Sequence, residues 1–145
     1  MSNSPRISSC LCSAVQLSIT GDPVDMTYCH CESCRRWLGA PVHASSLWPT
    51  ENVQVQKGAD LLTTYKRTEE SGCYRKFCTQ CGVAVLIDIP VMGMTDIPAG
   101  SIVDLVFKPT LHANYAEKVL SIIDGLPKYK GQEPQYGGTE ELLPE

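Results

Sequence analysis

Cys29-His30-Cys31-Glu32-Ser33-Cys34 places three thiols within six residues. Free cysteines that serve only packing behave as small buried hydrophobes and are usually scattered singly. Three together mean disulfides or a shared cation. Cys29 and Cys31 are too close in the chain for an easy bridge to each other, because a disulfide needs defined Cα separations and Cβ directions. C-x-C followed by x-x-C instead converges several thiolates on one point, as a divalent ion requires. The count stops at three. A structural zinc is normally closed by four protein ligands, whereas a catalytic zinc keeps three and leaves a position for water or substrate.

The other cysteines fall on either side of this run. Cys10-Leu11-Cys12 precedes it, and Cys78-Thr79-Gln80-Cys81-Gly82 follows it, with Cys73 alone between. The last group reads as a zinc knuckle, a tight turn whose backbone amides face two sulfurs and whose glycine tolerates a positive φ. A knuckle needs two more ligands. Cys10 and Cys12 are the obvious pair, which leaves Cys29, Cys31 and Cys34 as a separate site. Two members of the central trio would serve as well by arithmetic, and Cys10 with Cys12 would then be left over. The plainest reading of the trio is a structural zinc completed by His30, His43 or Cys73. His30 is a poor ligand beside both of its neighbours, since adjacent side chains diverge.

The rest of the chain suggests short strands between many turns. It has 145 residues, enough for one domain with a real core. Its 11 glycines and 10 prolines are dispersed rather than clustered. Val15-Gln16-Leu17-Ser18-Ile19 alternates with period two, as a half-buried strand does. Val53-Gln54-Val55 and Leu61-Leu62-Thr63-Thr64-Tyr65 are similar. Val83-Ala84-Val85-Leu86-Ile87-Asp88-Ile89 is nearly continuous and β-branched, an inner strand stopped by Pro90. Ile102–Phe107 is read as a strand or a short helical turn, and Glu117–Ile123 tolerates either state. One helical turn or two is expected over Glu32–Leu38, ended by Gly39 and Pro41. The fold class is mainly β, a single domain stapled by zinc with small helical turns. The domain is expected over 1–130, with a flexible C-terminal tail rich in Gly, Pro and Glu over 131–145.

Charge and composition exclude several partners. A net charge of -4 and a pI near 5.3 argue against nucleic acid or an anionic membrane surface. No apolar run approaches the length of a membrane span. The N-terminal stretch Met1-Ser2-Asn3-Ser4-Pro5-Arg6 lacks the apolar region of a secretory signal. A cytoplasmic location follows as the expectation. In that reducing setting the 8 cysteines are ligands rather than disulfides.

Three clusters taken together resemble the glutathione-dependent formaldehyde-activating enzyme family, also called the centromere protein V family. They are Cys10-Leu11-Cys12, then Cys29-His30-Cys31-Glu32-Ser33-Cys34-Arg35-Arg36-Trp37-Leu38-Gly39-Ala40-Pro41, then Phe77-Cys78-Thr79-Gln80-Cys81-Gly82. Fainter echoes are Gly100-Ser101-Ile102-Val103-Asp104, His112 and Asp124-Gly125-Leu126-Pro127. The resemblance implies a β-rich, tent-like fold and two zinc ions per chain. It implies a structural zinc on Cys10, Cys12, Cys78 and Cys81, and a second, open zinc on Cys29, Cys31 and Cys34, which would also be the catalytic residues. The implied activity is that of a carbon–sulfur lyase. It adds a thiol, with glutathione as co-substrate, to a small electrophile such as formaldehyde, and gives an S-hydroxymethyl adduct. The alternative is a non-catalytic, zinc-stapled binding module.

Other residues carry weaker readings. Arg35 and Arg36 are placed to meet a glutathione carboxylate, though a solvated helix face explains them as well. His43 suits a proton carrier or a support for a metal ligand, and packing is the simpler account. Trp37 and Trp48 are wall or core residues. His112 has no derivable role. Cys73 is a buried thiol, or a nucleophile made reactive by Arg75 and Lys76 if it faces solvent.

Overall fold

The structure, a computed structural model, describes residues 4–145; Met1, Ser2 and Asn3 of the N-terminal stretch lie outside the described residues. Among the described residues ten strands form two sheets, of three and seven strands, with one α-helix. In chain order they are β1 (Arg6–Ser9), β2 (Gln16–Ile19), β3 (Asp25–Cys29), α1 (Glu32–Leu38), β4 (His43–Pro49), β5 (Val53–Lys57), β6 (Leu62–Tyr65), β7 (Tyr74–Cys78), β8 (Ala84–Ile89), β9 (Met94–Pro98) and β10 (His112–Ala113). The fold is mainly β, as the short alternating runs indicate. No helix among the described residues is long and apolar enough to cross a membrane.

The chain divides into two compact units, one made of residues up to 24 with 46–106, the other of 25–45 with 107–145. The first holds the antiparallel sheet β1-β2-β5 and the antiparallel run β9-β8-β7-β6. In β2 the alternation resolves cleanly. Leu17 and Ile19 are fully buried while Gln16 and Ser18 are half-buried. In β8 the consecutive residues Val85, Leu86 and Ile87 are all buried, so both faces of this strand are covered, and the strand stops at Ile89 before Pro90. Leu17, Ile19, Val85 and Leu86 pack with Val15, Trp48, Ile97 and Ile102 into one apolar core. Each contributes about 1.5–3 kcal/mol through loss of apolar surface from water. Trp48 is thus a core residue, its indole N–H donating to Ser46 Oγ at 2.9 Å.

Two ambiguous runs are irregular. Ile102 makes only an isolated bridge to Ser8 and the following residues form no strand, because Asp104 takes a left-handed backbone, φ 61°. Residues 118–123 are neither helix nor strand, and Val119 and Ile123 point to solvent.

The second unit has a different interior. β10 pairs in parallel with β3, setting His112 against Tyr28 and Ala113 against Cys29. The buried side chains here include His30, His112, Tyr115 and Lys128. His112 stacks on Tyr28 and on His30, and Tyr115 meets both imidazoles edge-on. Polar groups this deep are costly unless they are hydrogen-bonded. Residues 131–145 fold back in this unit. Tyr129 bridges Leu142, Leu143 N–H donates to Lys128 O at 2.8 Å, and the Glu145 carboxylate accepts from the amides of Asp124 and Gly125 at 2.6 and 3.1 Å.

Candidate metal centres

Cys10 follows β1, Cys78 ends β7, and Cys81 lies in the turn that leads into β8. Cys10, Cys12, Cys78 and Cys81 bring four sulfurs within 4.8 Å of one another. The turn is the expected knuckle. Gly82 has φ 78°, its N–H donates to Cys78 O at 2.7 Å, and Cys78 N–H donates to Val83 O at 3.0 Å. Backbone amides face the sulfurs, as when Val15 N–H donates to Cys10 Sγ at 3.3 Å. Cys10 and Cys12 sulfurs are 3.6 Å apart and those of Cys12 and Cys78 3.9 Å. Tetrahedral zinc with bonds of about 2.3 Å separates its sulfurs by about 3.8 Å, so the set fits zinc and no disulfide is present. The amide of Cys12, then that of Val83, pulls the Cys81 thiol down to about 6. The amide of Ala14 pulls Cys12 the same way, but burial and the adjoining sulfurs outweigh it and push that thiol up to about 11.

Cys29, Cys31 and Cys34 form the second cluster, three sulfurs within 4.8 Å of one another, carried wholly by the other unit. Cys29 ends β3. Cys31 is the N-cap of α1, where its extended backbone (φ -62°, ψ 146°) lets Sγ accept the Cys34 N–H at 3.3 Å. Helix N-termini favour negative charge, so a thiolate suits this position. Cys34 lies one turn in and is buried, and Gly39 closes the helix in the left-handed region at φ 63°. Hydrogen bonding with Cys31, then burial, pushes the Cys29 thiol up to about 12, and the Cys34 thiol is pushed far higher by its two neighbours. Like charges this close oppose one another. The trio becomes a set of thiolates when a divalent cation offsets them, and the converging soft donors fit zinc.

A buried hydrogen-bonded chain reaches this cluster. His30, between Cys29 and Cys31, is fully buried, and its N–H donates to Ala113 O at 3.0 Å while its carbonyl accepts from Arg35 Nε at 3.0 Å. His30 Nε2 lies 2.8 Å from His112 Nδ1, and His112 Nε2 lies 2.8 Å from Asp124 Oδ2. The buried Lys128 ammonium donates to Asp124 Oδ1 and, at 3.2 Å, to Glu145. Burial opposes the Asp124 charge, but hydrogen bonds from Lys128 and His112 hold its carboxyl well below the usual carboxylate range. Burial, then the neighbouring His112, Lys118, Arg35 and Lys128, lowers His30 to about 4. Asp124 accepts only, so His112 Nε2 carries a proton. One proton joins His30 Nε2 and His112 Nδ1. His30 Nδ1 is a buried atom with no hydrogen-bond partner.

The remaining residues named from sequence are dispersed. Arg35 braces the His30 carbonyl, and Arg36 is exposed and paired with Glu32 at 3.1 Å. His43 is buried on β4, Trp37 is half-buried on α1, and the half-buried Cys73 bonds through its backbone to Ser71 and joins neither sulfur cluster. Sequence reasoning missed the coupling of His30 to His112 and Asp124. The partners are 82 and 12 residues apart, and only the unexplained His112 and the Asp124-Gly125 pair hinted at it. It also missed Asn114, whose Nδ2 donates to Cys29 Sγ at 3.6 Å.

Two converging cysteine clusters on a mainly β chain describe a small β protein with two groups able to hold a metal ion. A profile of the glutathione-dependent formaldehyde-activating enzyme family matches residues 5–117, and the chain belongs to that family. A relative in Schizosaccharomyces pombe, named as an uncharacterized lyase, is 30% identical over 76 residues, which are 52% of this chain and 52% of that protein. The chain thus aligns with about half the length of this curated relative. A crystal structure of a Rhodobacter sphaeroides protein superposes with a TM-score of 0.55 at 22% identity, covering 69% of this chain and 90% of that one. At that identity the likeness is one of fold.

Proposed function

We propose that the protein is a zinc-dependent carbon–sulfur lyase that joins a thiol, glutathione in the first instance, to a small electrophile such as formaldehyde. The observation that carries the reading is the count at the second cluster, three converging sulfurs where the first has four. Family membership and the lyase name of the yeast relative support it. In this reading Cys10, Cys12, Cys78 and Cys81 hold a structural zinc, and Cys29, Cys31 and Cys34 hold an open one. A zinc held by three thiolates supplies a fourth position at which a thiol is deprotonated near neutral pH.

The chain's own residues supply the surroundings. Cys31 Sγ accepts the Cys34 amide at the start of α1, where negative charge is favoured. The His30 ring, held by His112 and Tyr115, and the His30 N–H, which donates to the Ala113 carbonyl, fix the backbone between two of the sulfurs. Positioning of this kind turns an encounter of two solutes into a reaction within one site. In the reaction the thiol sulfur bonds to the carbonyl carbon, the C=O π bond breaks, and the thiol's proton ends on oxygen. Reduced thiols on both clusters suit a cytoplasmic setting.

The test is zinc per chain by elemental analysis on wild type and Cys31→Ser, with and without glutathione, followed by exchange between glutathione and labelled formaldehyde. Two ions in wild type, one in a folded Cys31→Ser, and faster exchange only in wild type are expected. Two ions without accelerated exchange would favour a zinc-stapled binding module.

A further inference from the structure

We infer that Asn114 is a positioning residue of the three-sulfur site, one that sets the electron density of the Cys29 thiolate by donating a hydrogen bond to it. The inference rests on the reading above that this cluster holds a metal. Asn114 directly follows Ala113, the β10 residue in register with Cys29. Its backbone is left-handed, φ 54° and ψ 40°, a conformation that asparagine tolerates better than most residues. Its N–H donates to Gly131 O at 2.8 Å, and its carbonyl accepts from Glu117 N–H at 3.0 Å. The main chain is therefore held from both sides.

The carboxamide is held as firmly. Nδ2 carries two hydrogens. One is directed to Cys29 Sγ at 3.6 Å and the other to Gln132 Oε1 at 3.2 Å. Turning the amide over would set its oxygen against two acceptors, so the contacts fix it with nitrogen toward the sulfur. A donor aimed at a thiolate stabilises the anion and draws density away from the sulfur. Groups that support a ligand this way typically change metal affinity by about 10–100-fold when removed. Cys31 already has an amide donor from the helix start. Cys29 has the Cys31 amide beside it, and Asn114 adds a side-chain donor from a distant part of the chain.

Asn114→Gly and Asn114→Asp both tolerate the left-handed backbone. The first removes the donor, and the second replaces it with a carboxylate facing the sulfur. The full chain would be stripped and reloaded with cobalt(II), with Cys31→Ser marking the signal of the structural site. In Asn114→Gly the sulfur-to-cobalt charge-transfer band of the second ion should move to longer wavelength, and its dissociation constant should rise about tenfold. Asn114→Asp should weaken it further, toward about a hundredfold. The first cobalt should bind as in wild type in both, which also reports that the variants are folded. Bands and affinities unchanged in both variants would overturn the role of Asn114 alone. A wild type that takes one cobalt, unaffected by Cys31→Ser, would overturn the metal reading and this inference with it. Should neither variant fold, Gln132→Ala removes only the acceptor that orients the amide. A smaller shift in the same direction supports the inference, and no shift overturns it.

Discussion

His30 Nε2 and His112 Nδ1 meet at 2.8 Å with both rings fully buried, in the unit that carries the three-sulfur cluster. Replacing His112 by Phe keeps a ring between Tyr28 and His30 but removes both of its hydrogen bonds. His30 Nε2 and Asp124 Oδ2 are then left without this partner, and a buried unsatisfied polar group costs about 1–3 kcal/mol. Urea unfolding of His112→Phe should show a lower midpoint with an unchanged slope, a loss of about 2 kcal/mol or more. A wild-type midpoint would mean that the pair contributes packing only.

The Lys128–Asp124 pair should leave its mark on the pH dependence of stability. Lys128 in the folded chain titrates above its ordinary 10.5, because Asp124 and Glu145 outweigh the burial that opposes its charge. Its contribution is therefore complete below 10.5 and is lost as pH rises through the folded value. Asp124 is held below its ordinary 3.8, so its share is present above that pH and lost as pH falls below it. Lys128→Met should cost about 3 kcal/mol at neutral pH, since it leaves a partly buried carboxylate short of its cation. The gap between wild type and variant should narrow above pH 10.5. A gap that stays constant to high pH would exclude a charged Lys128 as the source.

These two contacts also mark where sequence reading stops. Metal-ligand spacing is local, so the clusters were legible from three short runs, and α1 was legible because Gly39 and Pro41 end it. β8 was legible from a β-branched run ended by Pro90. The second unit was not, because its interior is built of histidine, tyrosine and lysine, residues that composition assigns to surfaces. His30 looked idle between two cysteines, since nothing nearby in the chain says that His112 returns to it through β10. Val119 to Ile123 carries strand-like residues, yet Val119 and Ile123 face solvent, so no burial enforces the pattern.

Gly58 and Gly39 both have positive φ, 79° and 63°, but differ in their surroundings. A Cβ on Gly58 would lie 2.1 Å from Ala14 O, whereas one on Gly39 meets nothing within 4 Å. Gly39→Ala should lose about 1 kcal/mol, the left-handed penalty alone. Gly58→Ala should lose more, and it should disturb metal binding at the four-cysteine cluster. Ala14 and Val15 both send amides to sulfurs of the four-cysteine cluster, Val15 to Cys10 and Ala14 to Cys12. Thermal unfolding of the zinc-loaded variants, with zinc counted by elemental analysis, checks both. Equal losses with full zinc in both would show that the segment around Ala14 yields easily.

The two clusters should also part on chelation. Cys10 and Cys78 belong to the aliphatic core beside Val15, Trp48 and Ile97, so the four-sulfur set is a core element. Metal binding that assembles a core is folding free energy. Cys29 and Cys31 are half-buried, at the edge of a unit held by its own hydrogen bonds. Graded addition of a chelator should first remove one ion with little change in far-ultraviolet circular dichroism. Loss of the second should then coincide with collapse of the β signal. Cys78→Ser should behave as the end state, unfolded at any zinc concentration, while Cys31→Ser should show only the second step. Release of both ions in one step together with the β signal would mean that the three-sulfur cluster is as structural as the four-sulfur one, and the open-site chemistry would lose its support.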